Sequence, residues 1–130
     1  MNAPSSFPAT SGGDGIVLFA HGSRDPLWRR PMDAVAERIR ALAPAARVVC
    51  AFLELTPPDL PTAIATLVAN GVQRITVVPL FLGVGKHARE DLPLLMAEVQ
   101  REHPSVAFTL QAAVGEDPRL IDLLARMALG

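Results

Sequence analysis

Residues 15–20, Gly15-Ile16-Val17-Leu18-Phe19-Ala20, are apolar throughout and run directly into His21-Gly22-Ser23-Arg24. A strand that is apolar on both sides has to be covered on both faces, the condition met inside a parallel sheet. Three further short apolar runs follow, VVCAFL at 48–53, ITVVPL at 75–80 and VAFTLQA at 106–112. The four starts, at 15, 48, 75 and 106, lie 33, 27 and 31 residues apart. A βαβ unit takes about 30 residues, so each gap has room for one helix. Pro79 in the third run lacks a ladder donor, which is expected only near a strand's end.

The gaps carry helical spacing. Met32, Val35, Ala36, Ile39 and Ala43 share one helical face. Leu60, Ile64, Leu67 and Val68 form a second, with Gly71 placed as a cap just past its end. Leu92, Leu95, Met96 and Val99 form a third. Leu120, Leu124, Met127 and Ala128 form a fourth, opened by Asp117 before Pro118. The order β-α-β-α-β-α-β-α predicts an α/β fold, a parallel sheet between helices, in one domain over residues 15–130. Residues 1–14, with Pro4, Pro8, Gly12 and Gly13, read as a flexible arm.

Composition narrows the function classes. The chain has 130 residues, half of them hydrophobic, enough for a real core. Twelve basic residues meet thirteen acidic ones, for a formal charge of −1, so no nucleic-acid partner is expected. Cys50 is the single cysteine, which removes disulfides and thiolate zinc sites. No run approaches the ~20 apolar residues of a membrane span, and no membrane partner is expected. The start of the chain lacks the pattern of an export signal, so a cytoplasmic location is expected.

In open parallel sheets, ligands bind beyond the carboxyl ends of the strands. There the sequence places His21 after the first strand, Glu54 after the second and His87 after the third. In a sheet ordered 2-1-3-4 the first and third strands are neighbours about 4.8 Å apart, so His21 and His87 face one cleft with Glu54 on its flank. Imidazole and carboxylate suit divalent first-row metals, and imidazole also takes up protons near neutral pH. Either histidine is open to either role. By residue type and position alone, a lone loop histidine is more often structural or incidental than either. Arg24, Arg29 and Arg30 follow the first strand, and Lys86 and Arg89 bracket His87. Such a set suits a ligand with several carboxylates, while solvated surface is the commoner fate of charge.

Other readings carry less. Gly83-Val84-Gly85 before a helix hints at an anion site, but neither nucleotide-binding glycine pattern is present. Ser23 lacks the elbow sequence of a nucleophilic serine. His103 ends a helix, where a protonated imidazole suits the dipole. Cys50 is expected in the core, and Trp28 either lines a pocket or packs at a helix start.

The segments Phe19-Ala20-His21-Gly22-Ser23-Arg24, Phe52-Leu53-Glu54 with Pro57 and Pro58, Val78-Pro79-Leu80-Phe81-Leu82, Gly85-Lys86-His87 and Asp91-Leu92-Pro93 resemble the small sirohydrochlorin cobaltochelatases. These are ATP-independent class II chelatases related to the sirohydrochlorin ferrochelatases. The resemblance runs over most of the chain. It implies a flavodoxin-like chelatase fold with a four-stranded parallel sheet of order 2-1-3-4. It also implies insertion of a divalent metal, Co²⁺, Fe²⁺ or Ni²⁺, into sirohydrochlorin or a related tetrapyrrole, on the way to cobalamin or sirohaem. The metal is then a substrate, and no organic cofactor is implied. Carried over, His21, His87 and Glu54 are the metal-binding and catalytic residues, and Ser23, Arg24, Arg29, Lys86 and Arg89 hold the tetrapyrrole. A single module implies a homodimer with the cleft between subunits. The rival classes are a metal-binding or delivery module of the same fold and an inactive partner subunit. Retention of both histidines argues against the last.

Overall fold

The computed structural model describes residues 13–130. Its centre is β1 (Asp14–Ala20), which pairs in parallel with β2 (Arg47–Phe52) on one side and β3 (Arg74–Pro79) on the other. β4 (Ala107–Leu110) pairs in parallel with β3, and the sheet has the order β2-β1-β3-β4. The expected order 2-1-3-4 is therefore present. β1 opens with Asp14, the last residue of the segment read as an arm, because Asp14 stands opposite Arg74 and pairs with its guanidinium at 2.6 Å. The remainder of that arm, up to residue 12, lies outside the described residues.

Pro79 is the last residue of β3 and is buried. The carbonyl of Val77 accepts from the N–H of Gln111, so residues 77 and 79 turn their amide edges toward β4. β4 ends at Leu110, so the missing donor of Pro79 falls where the ladder stops.

The two sheet faces are covered unequally. α2 (Leu60–Ala69) and α3 (Lys86–Glu102) bury one face, where Val17, Phe19, Ile64, Leu67, Val77 and Val99 are at most 2% exposed. Asp59 caps α2 by accepting from the N–H of Thr62 at 2.9 Å. Gly71 takes a φ of +85° just past its end, the cap expected from sequence. α1 (Arg30–Leu42) covers the other face over β1 and β2, its Ala36 buried with Leu18 and Val48 of the strands. Cys50 lies in this smaller layer and is half-buried rather than fully enclosed.

A short 3₁₀ turn (Val114–Glu116) leads into α4 (Pro118–Leu129). The sequence marks a face on this helix, but none of its residues is buried. Ile121, Leu123 and Met127 are each more than half exposed. The helix forms as expected, opened by Asp117 and Pro118, yet it packs on little besides the turn before it.

Candidate functional site

The pairing of β1 and β2 continues for two steps past the strands. The N–H of Leu53 donates to the carbonyl of Ala20 at 2.9 Å, and the N–H of Glu54 donates to the carbonyl of His21 at 3.0 Å. On the other side the N–H of Leu80 donates to Phe19 at 2.7 Å, which brings Phe81 level with His21. The His21 imidazole is exposed and lies over the Phe81 ring, centroids 4.6 Å apart. Phe81 is 2% exposed and packs edge-on against Phe19 at 5.9 Å. His21 thus stands in solvent on an aromatic floor that is part of the core.

Gly22 makes this close approach possible. Its φ is +101°, and a Cβ there would lie 1.8 Å from the carbonyl oxygen of Glu54. Ser23 is stitched to the loop after β2: its N–H donates to Thr56 Oγ1 at 3.2 Å, while the Thr56 hydroxyl donates to the Ser23 carbonyl. The Ser23 hydroxyl accepts from the N–H of Asp25 at 3.1 Å. The loops that carry His21 and Glu54 are therefore one hydrogen-bonded unit.

The basic residues divide into different environments. Arg24 is exposed on the His21 loop. Arg29 makes a two-nitrogen contact with Asp33 at 3.1–3.3 Å and lies 4.9 Å over the Phe52 ring. The Asp33 hydrogen bond holds Arg29 more firmly in its charged form. Trp28 packs on the same Phe52 at 6.0 Å, which assigns it to packing at the start of α1. Burial pushes the nearby Cys50 thiol up, and the charge of Asp33 adds to this. His87, Lys86 and Arg89 occupy the first turn of α3, all exposed, after the N-cap Gly85. Arg89 also donates to the carbonyl of Val84 at 3.1 Å, fixing that loop.

His21 and Glu54 are thus neighbours through their backbones, and His87 reaches the same carboxyl edge through the β3–α3 loop. Among the described residues no three His, Cys, Asp or Glu side chains gather tightly enough to hold an ion by themselves. His103 lies apart, at the C-cap of α3, as the sequence places it. A shallow concavity lined by Arg40, Arg47, Thr66 and Asn70 sits at the amino end of β2, away from these residues.

Residues 15–128 match the CbiX family. The chain belongs to the CbiX family. It is 35% identical over 81 residues to a sirohydrochlorin cobaltochelatase from Methanopyrus kandleri, covering 62% of this chain and 57% of that protein. The chain thus spans under two thirds of that relative's length. A CbiX protein of known structure from Marinobacter aquaeolei VT8 superposes with a TM-score of 0.75 at 34% identity, covering 88% of this chain and 93% of that one. The cobalt-bound sirohydrochlorin chelatase SirB from Bacillus subtilis subspecies spizizenii superposes with a TM-score of 0.73 at 29% identity. It covers 88% of this chain but 50% of the SirB chain. The expected flavodoxin-like chelatase fold is the fold of this CbiX family member.

Sequence reading passed over the residues that support the site. Phe81 carries His21, Thr56 fastens Ser23, and Asp33 occupies Arg29. It also passed over three leucines on the loops after β1, β2 and β3. Leu27, Leu55 and Leu82 are 57%, 52% and 67% exposed. Leu55 also holds a φ of +67°, an uncommon position for an apolar side chain. An apolar residue directly after an apolar strand looks like more strand. Only the carboxyl-edge position of these leucines separates an exposed rim from core.

Proposed function

We propose that this chain is an ATP-independent chelatase that inserts Co²⁺ or Fe²⁺ into sirohydrochlorin or a related tetrapyrrole, serving cobalamin or sirohaem synthesis. The main support is the His21 imidazole, exposed on Phe81 and tied through its backbone to Glu54, in a chain that belongs to the CbiX family. The apolar rim of Leu27, Leu55 and Leu82 suits the face of a flat macrocycle. The exposed Arg24, Lys86 and Arg89 suit its peripheral carboxylates, and Ser23 and Arg29 are assigned to the same ligand.

Insertion requires that the macrocycle lose its pyrrole protons as the metal enters. His21 and His87 can each take a proton or hold the incoming ion, and Glu54 can balance its charge. A metal that is substrate rather than resident has to leave with the product. A pair of exposed imidazoles holds it more loosely than a closed three-ligand cage. Holding ion and ring together turns a bimolecular encounter into a positioned one. His21 stands on a floor that cannot shift without disturbing the core, so its direction is set before substrate arrives.

The chain acts as a homodimer in the cytoplasm, because one small module supplies a single wall for a large flat substrate. The test is anoxic mixing of sirohydrochlorin with Co²⁺, then with Fe²⁺ and Ni²⁺, followed by visible absorption. The expected result is metallation faster with protein than without it, and lost in His21→Ala. Binding of Co²⁺ with no acceleration would identify a metal carrier instead.

A further inference from the structure

We propose that Leu55 is a specificity residue: it lies against the apolar face of the tetrapyrrole ring, and the strained turn that carries it is kept for that contact. This rests on the chelatase reading of the site and adds the residue that recognises the ring rather than the metal or the carboxylates. The N–H of Thr56 donates to the carbonyl of Glu54 at 2.8 Å, closing a three-residue turn with Leu55 at its centre. Leu55 holds a φ of +67°. Turns of this kind ordinarily hold their central residue at negative φ, and the positive form is rare and strained. A left-handed position is unfavourable for a residue with a Cβ and free of that strain for glycine.

Neither the backbone nor the core asks for a leucine here. Both flanks of the turn are fixed from outside it. The N–H of Glu54 donates to the carbonyl of His21, and the Glu54 carbonyl oxygen lies 1.8 Å from where a Cβ on Gly22 would stand. On the far flank, Thr56 Oγ1 accepts from the N–H of Ser23 at 3.2 Å, and the Thr56 hydroxyl donates to the Ser23 carbonyl. A backbone set in this way is best served by glycine. Among the described residues, Gly22, Gly71 and Gly130 hold the other positive-φ positions, and Leu55 is the one that is not glycine. Leu53, two residues earlier, packs against the larger core cluster, whereas Leu55 belongs to neither cluster and is 52% exposed. A side chain that adds strain and leaves half of its surface in water is explained by a contact made when something binds.

The surroundings name the chemistry of the ligand. Leu55 directly follows Glu54, and Leu27 and Leu82 are exposed on the loops after β1 and β3. Three loops of one sheet edge thus present one exposed leucine each, on the edge that also carries the exposed Arg24, Lys86 and Arg89. A ligand that uses both sets is apolar across a broad face and anionic at its periphery, as a carboxylated macrocycle is. A hydrated metal ion or a small linear carboxylate gains nothing from the leucine. The ring offers the same face before and after the metal enters. The contact therefore acts on ring binding and not on the insertion step.

Equilibrium titration with metal-free sirohydrochlorin, followed by the ring's own fluorescence, tests this beside urea unfolding. Leu55→Gly and Leu55→Asn should unfold at midpoints no lower than the parent, since both residues tolerate a left-handed backbone. Both should bind the ring about 5–10-fold more weakly, the loss expected from half of a leucine side chain. That loss should be the same at low and high salt, unlike the loss of a charge contact. Leu55→Met keeps an apolar side chain on the same strained backbone and should bind within about twofold of the parent. In insertion assays KM should rise with Kd while kcat changes less. Ring binding at parent strength in Leu55→Gly and Leu55→Asn overturns the proposal, as does a Leu55→Met chain as weak as Leu55→Gly, or a parent that binds no sirohydrochlorin. A Leu55→Gly chain that unfolds well below the parent also overturns it, for the leucine then serves the fold. A parent that binds the ring but metallates nothing loses the chelatase reading, while the titrations still decide the role of Leu55.

Discussion

The N–H of Glu54 donates to the carbonyl of His21 at 3.0 Å, just beyond the ends of β1 and β2. The backbones that carry the imidazole and the carboxylate are thereby tied to each other. A side chain held in this way is pre-positioned, and the cost of orienting it is met during folding.

His21→Ala should leave the fold intact, because the ring is exposed and only its lower face meets Phe81. The rate of metal insertion should fall about 10²–10⁴-fold, the range for loss of a positioned acid–base group. Thermal unfolding within a few degrees of the parent, beside initial metallation rates, checks both halves. A variant within threefold of the parent rate would remove His21 from the chemistry.

Gly22 and Gly71 share a left-handed backbone, at φ +101° and +85°, but not their surroundings. An alanine at 71 meets nothing within 4 Å and should cost about 1 kcal/mol from φ alone. At 22 the new Cβ meets the Glu54 carbonyl at 1.8 Å, and backbone there cannot yield without breaking the His21–Glu54 bond. Gly22→Ala should cost about 3 kcal/mol or more and should also depress insertion. Urea unfolding of the two variants side by side checks this, and equal midpoints would contradict it.

The sheet was legible because its strands are apolar on both sides and evenly spaced. Strand bounds shift by only one residue at the start of β1, β2 and β3, since their pattern depends on burial alone. β4 is shorter than its run suggests, at Ala107–Leu110, because an edge strand uses one neighbour and its outer residues need no ladder. The face on α4 was visible as spacing, but spacing reports that a face is apolar and not what covers it. At the site, His21, Glu54 and His87 stood out by residue type and by their place after strands. Phe81, Thr56 and Asp33 did not, because their roles depend on register and loop approach across gaps that no local pattern encodes.

Arg24 and Arg29, five residues apart, should behave differently when neutralised. Arg24 is exposed on the site loop, so Arg24→Gln should raise KM several-fold and less so at high salt, with little change in stability. Arg29 is engaged by Asp33 and lies over Phe52, so Arg29→Gln should lower stability by about 1 kcal/mol. Initial rates across a salt series, with unfolding midpoints for both, check the contrast. Arg24→Gln with unchanged KM at every salt concentration would leave this residue as ordinary surface charge.

Asp117 ties α4 to pH. Its carboxylate accepts from the N–H of Arg119 at 2.8 Å and from the Arg119 guanidinium at 2.7 Å, which together hold its pKa down to about 2. An ordinary aspartate titrates near 3.8. A carboxyl whose pKa is lowered on folding stabilises the folded form above the ordinary value and loses that contribution as pH falls through the lowered one. The start of α4 should therefore be equally protected at pH 7 and pH 5, then lose protection between about pH 4 and pH 2. Amide exchange at Leu120 and Ile121, whose N–H groups donate to the Asp117 carbonyl at 3.1 Å, reads this directly. In Asp117→Asn the amide oxygen still caps the helix but has no charge to lose, so the step should vanish while neutral-pH protection falls only slightly. Asp117→Ala should lose protection at every pH, because the cap itself is gone. A flat profile from pH 5 to pH 2 in the parent chain would show that Arg119 does not hold the Asp117 carboxylate in solution.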